Sequence, residues 1–96
     1  MDLFEQVDLP LEEIKEANAE DLLKLAVEVL PYIRKFVERY FPNATVILHK
    51  FFYNPHGILL EYMVSSPPII SLSVKVLITD EPTKLLQDFY EWERGD

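Results

Sequence analysis

Basic and aromatic side chains alternate through the middle of this chain. Arg34, Lys35, Arg39, Lys50 and His56 interleave with Tyr32, Phe36, Tyr40, Phe41, Phe51, Phe52 and Tyr53. Single-stranded nucleic-acid binders use that combination, with cations meeting phosphates and rings stacking on bases. Arg34, Lys35, Arg39, Lys50 and His56 are therefore the candidate nucleic-acid contacts. The competing account places Phe36, Tyr40 and Phe51 in the core. It leaves Arg34, Lys35 and Arg39 on the solvated back of a helix.

Other chemistry is sparse. His49 and Glu61 are the residues a general base would come from, with Tyr62 and Lys75 within cross-strand reach. No nucleophile, glycine turn or anion-stabilising loop accompanies them, so no catalytic residue is assigned. The plainer account is a His49–Tyr62 pair at the core edge and a Lys50–Glu61–Lys75 charge cluster. His49, His56 and Glu61 are the nearest approach to a metal-ligand set, without His-x-His or His-x-x-x-His spacing. Gly57 and Gly95 are the only glycines, which excludes a glycine-rich phosphate loop. No metal or cofactor is expected, and the chain reads as non-enzymatic. Glu61 followed by Ser73-Val74-Lys75 resembles metal-dependent nuclease cores in outline. Those cores need an acid two positions before the lysine, where this chain has Ser73.

The 96 residues suit one domain, spanning 1–96, with a thin core. Chains of this size often gain burial from a second subunit. Hydrophobic residues make up 49%, enough to exclude a disordered chain. No apolar run approaches the ~20 residues of a membrane span, and no membrane partner is expected. Met1-Asp2-Leu3-Phe4-Glu5 lacks the basic region of a secretory signal, so a cytoplasmic location is expected. Cysteine is absent, which removes disulfides and thiolate chemistry. Few glycines with abundant Glu and Pro lean towards a thermophilic composition. The net charge of −8 is uneven: residues 1–28 carry −7, residues 29–60 carry +3 and residues 61–96 carry −4. An acidic chain repels phosphate backbones at long range, whereas its basic middle does not.

These residues need elements to position them. Residues 8–17 read as a short helix with Pro10 in its first turn. Asn18 reads as the cap of a main helix over 19–41, whose Leu22, Ala26, Val29, Ile33, Phe36, Val37 and Tyr40 share one face. Pro31 is expected to kink or break it. Residues 44–53 and 58–64 form a hairpin about Asn54-Pro55-His56-Gly57. Pairing Lys50 with Glu61 across it supports the register. Residues 70–78 alternate as a third strand, and a last helix opens near Asp80 with Leu85, Phe89 and Trp92 inward. The expected fold is α+β, in the order α-α-β-β-β-α, a three-stranded antiparallel meander with helices packed on one face. The α-β-β-β-α portion resembles double-stranded RNA-binding domains in element order. Those domains dock phosphates with lysines where this chain has Asp80, Glu81 and Pro82.

In this register Ile47, Phe51 and Leu60 face the core, and Leu48, Phe52, Leu59 and Met63 face the other way. With only the 8–17 helix to cover them, these four form the expected interaction surface. The expectation is a small acidic interaction protein, a homodimer or a subunit of a complex. Single-stranded nucleic-acid binding through residues 32–56 is the alternative.

Overall fold

Residues 45–79 are rich in β-branched and aromatic side chains, the composition that favours pleated strands. The structure, a computed structural model, describes residues 2–6, 19–66 and 68–95. In it, β2 (Thr45–Asn54), β3 (Gly57–Ser66) and β4 (Ile69–Thr79) form an antiparallel meander. A further strand, β1 (Asp2–Gln6), pairs parallel with β4, so the sheet runs β1-β4-β3-β2. Helix α1 (Ala19–Glu38) precedes the meander and α2 (Pro82–Arg94) follows it. The class is α+β as expected. The order is not α-α-β-β-β-α: residues 2–6 form a strand, and the helix expected over 8–17 lies outside the described residues. A parallel pair needs a long crossover, and residues between β1 and β4 supply it.

The helices do not share one face of the sheet. On α1, Leu22, Ala26, Val29, Ile33 and Val37 are buried against Ile58, Leu60, Tyr62 and Val64 of β3 and against Leu72, Val74, Val76 and Ile78 of β4. On α2, Leu85 and Phe89 are buried against Leu59 and Leu77, the alternate residues of those strands. Successive strand residues point to opposite faces, so the two helices lie on opposite sides. The physical reason is that β3 is apolar on both faces from Ile58 to Leu60. Leaving Leu59 and Leu77 wet would forgo about 1.5–3 kcal/mol each, and α2 covers them.

Helix α1 runs through Pro31 without a break. Proline removes one backbone donor and leaves the carbonyl four residues earlier short of a partner. That residue is Val27, which is exposed, as is Pro31. The carbonyl therefore sits on the solvated side of the helix, where water can satisfy it.

The hairpin holds the predicted pairs Lys50–Glu61, Phe51–Leu60 and Tyr53–Ile58. Its closing pair is Asn54–Gly57, leaving Pro55 and His56 as the turn. Asn54 Oδ1 accepts the backbone N–H of His56 at 2.8 Å and of Gly57 at 3.2 Å, which fixes the bend. Gly57 has φ +154°, and a Cβ there would overlap the Ile78 carbonyl and stand 2.6 Å from Thr79 Cβ. Beyond Lys50 the register slips by one at a bulge, and Leu48, not His49, faces Tyr62. The expected His49–Tyr62 pair does not form. Ile47 is exposed rather than in the core, and Val46 takes its place.

Helix α2 begins at Pro82, where the missing N–H costs nothing, with Glu81 rather than Asp80 at the cap position. It ends at Gly95, whose left-handed φ of +77° lets its N–H reach the Trp92 carbonyl at 3.1 Å.

Candidate functional site

Two polar clusters lie on the α2 side of the sheet. The first crosses the strands. The registers set Lys50 of β2, Glu61 of β3 and Lys75 of β4 in one row. Glu61 Oε2 is 3.5 Å from Lys50 Nζ, and its Oε1 is 3.2 Å from Lys75 Nζ. Glu61 and Lys75 are buried, as is Ser73, whose Oγ lies 3.4 Å from Lys75 Nζ. Lys50 also pairs with Glu93 of α2 and lies over the rings of Phe89 and Trp92, 5.5 and 5.7 Å from their centroids. The hydrogen bond to Glu93 raises the Lys50 pKa, against the opposing effect of burial.

This row has little to offer a reaction. Both oxygens of Glu61 are spent on ammonium groups, and burial of Glu61, Ser73 and Lys75 keeps a substrate away from them. Its structural effect is clear. Buried charges are tolerated when paired, and pairing across three strands penalises any slip in register.

The second cluster sits at the hairpin tip. His56 Nδ1 is 2.7 Å from Glu81 Oε2, and its Nε2 is 4.0 Å from Asp88 Oδ2. Asn54 Nδ2 donates to Asp88 at 2.6 Å. Thr79 Oγ1 donates to the His56 carbonyl at 2.6 Å and accepts the Glu81 N–H at 2.9 Å. The hydrogen bond from His56 lowers the Glu81 pKa, with Lys84 adding to the effect. The cluster ties the turn to the start of α2. Among the described residues, no group of three His, Cys, Asp or Glu side chains could hold a metal ion.

The five candidate nucleic-acid contacts are divided by this fold. Arg34 and Lys35 are exposed on α1, and Arg39 is exposed just after it. Lys50 and His56 are on the α2 side of the sheet, each engaged with carboxylates. Tyr32 and Tyr40 are exposed near the first group, and Phe36 meets Tyr40 edge to face at 5.6 Å.

The four residues of the expected interaction surface do not make an exposed patch. Leu59 is fully buried beneath α2. The bulge turns Leu48 to the α1 side, where it packs on the main core. Phe52 is half-buried against Phe89 and Trp92, at centroid distances of 5.8 and 5.2 Å, and Met63 is also half-buried. Exposure falls instead on Ile47 and Tyr53, near the two ends of β2. Three consecutive apolar residues, Val46, Ile47 and Leu48, let either parity serve the core, so nothing in the local pattern located the bulge. No helix of the described residues is long and apolar enough to cross a membrane.

No family model, curated protein or solved structure matches the chain.

Proposed function

We propose that this chain is a small acidic protein-interaction module without catalytic chemistry of its own. It acts as a homodimer or as a subunit of a complex. The observation that carries the reading is the set of large apolar side chains standing in solvent on several elements. Leu23 and Val27 are exposed on α1, Ile47 and Tyr53 on β2, and Trp92 on α2. Scattered apolar residues are ordinary on a surface. Here Leu23 and Val27 adjoin on one helix side. Clustered apolar exposure of that kind supports an interface. The test is a mass measurement on the purified chain and on the tagged chain in native lysate. More than one 11.3 kDa chain, or a heavier complex, is expected. A lone chain in both settings overturns the reading.

The alternative is single-stranded nucleic-acid binding. What favours it is that Tyr32, Lys35 and Arg39 are spaced three and four apart, on one side of α1 and its end, and all are exposed. Titration with a fluorescent oligonucleotide at low salt decides it. Salt-sensitive binding weakened by Arg34→Ala with Arg39→Ala supports the alternative, and absence of binding removes it.

A further inference from the structure

We infer that a second copy of this chain pairs antiparallel with the outer edge of β2 over Lys50–Asn54, about a two-fold axis at Phe52. The inference rests on the interaction reading above and names its partner and register.

Among the described residues β2 closes one end of the sheet, so its outer backbone groups have no strand beside them. The other end is β1, only five residues long against ten for β2. Native edges are usually blunted by proline, bulges or outward lysines. β2 contains no proline, and its bulge lies on the Thr45 side of Lys50, so Lys50–Asn54 stays regular. Its one lysine is drawn onto Glu61 and Glu93, which removes it from the role of guard.

The pairing follows from geometry. In a two-fold antiparallel pair centred on a residue, partners share a face of the sheet. Centring on Phe52 uses all five regular residues. Phe51 then meets Tyr53 of the second copy, and Phe52 meets its own counterpart. Aromatic cross-strand pairs stabilise sheets. Phe51 and Tyr53 already stack within one copy, with centroids 6.5 Å apart, so four rings would line one face.

Charge selects the occupant. The chain carries −8 overall, yet β2 contains no acidic residue. Two copies meeting here bring no carboxylate of one strand against a carboxylate of the other. Lys50 faces Asn54 of the second copy, whose side chain is bonded to Asp88.

Sedimentation equilibrium of the full chain, from micromolar to millimolar concentration, tests the inference. Twice the 11.3 kDa chain mass is expected at the upper end. Tyr53→Lys should weaken association at least roughly tenfold, about 1.4 kcal/mol or more, with an unchanged circular dichroism spectrum. Tyr32→Lys, on the exposed side of α1, should leave association unaltered. Slowed amide exchange at Phe51 and Tyr53 on raising the concentration is the second expected signature, independent of any substitution. A dimer broken by Tyr32→Lys but not by Tyr53→Lys overturns the edge pairing and leaves the interaction reading intact. A purified monomer that joins a heavier complex in lysate does the same. A lone chain in both settings overturns both.

Discussion

The phenol of Tyr62, on the central strand β3, donates a 2.6 Å hydrogen bond to the backbone carbonyl of Ala26 in α1. Both residues are buried, and burial pushes the Tyr62 pKa up to about 12. The bond crosses the main core and sets where α1 sits along the sheet, a role that packing by Val29 and Ile33 cannot specify alone.

Tyr62→Phe should therefore cost about 0.5–1.5 kcal/mol at neutral pH, measured as a lowered urea midpoint with an unchanged slope. At alkaline pH the order should reverse in part. An unfolded tyrosine ionises near pH 10, whereas the folded one resists until about 12. The contribution of the neutral phenol is fully present below about pH 10 and is lost as pH rises through about 12. A shift of that size corresponds to about 2–3 kcal/mol. Lys50, whose pKa is also raised, loses stability in the same direction as pH climbs through its folded value. Urea midpoints for the native chain should fall between pH 9 and 12 more steeply than those of the Tyr62→Phe variant. Parallel curves would show that Tyr62 is wetter than its burial implies.

Gly57→Ala should be among the most damaging single-methyl additions. The new Cβ would meet the Ile78 carbonyl and Thr79 Cβ across the β3–β4 pair, at a backbone angle that L side chains rarely adopt. A loss of about 1–3 kcal/mol is expected. Thermal unfolding reads it directly, and an unchanged midpoint would mean that the hairpin relaxes without cost.

Within the buried charge row, Glu61→Gln should be costly, because it removes the carboxylate that bridges Lys50 and Lys75 in a dry site. Breaking such a pair from one side costs about 3–5 kcal/mol. Replacing both as Glu61→Leu with Lys75→Leu should recover much of that loss. If the double variant is no better than the single one, the row is held by more than its charges.

Much of this architecture was legible where chemistry breaks an apolar run. Lys50 and Glu61 stand alone among apolar neighbours, and opposite charges across a hairpin fix the register between them. Leu85 and Phe89, four apart, announced the inner stripe of α2, whereas Trp92, expected inward beside them, is half exposed. The face that α2 would cover was not legible, because Leu59 and Leu60 are interchangeable to a periodicity argument, as are Val76 and Leu77. Leu48, Phe52, Leu59 and Met63 do not form one exposed face for the same reason: α2 lies over Leu59. The bulge beside His49 escaped because Val46, Ile47 and Leu48 satisfy the core in either parity. The five residues of β1 are too few to announce a strand by alternation. Their partner, β4, is legible only as a strand, not as one with a parallel neighbour.

That parallel pair has a consequence for how the chain is made. Asp2 pairs with Ser73 and Gln6 with Leu77, about 70 residues apart. The β2–β3 hairpin closes at Asn54–Gly57 and its furthest pair, Thr45–Ser65, is 20 residues apart, so the meander can assemble from fairly local contacts as it emerges. The β1–β4 ladder is the sheet's longest loop closure. At ~5–20 residues per second, β1 waits roughly 4–14 s after synthesis for its partner. Contacts of such high order form late, after the entropy of the intervening loop is lost. By sequence separation alone, β1 is expected to join the sheet last, leaving the outer side of β4 open until then.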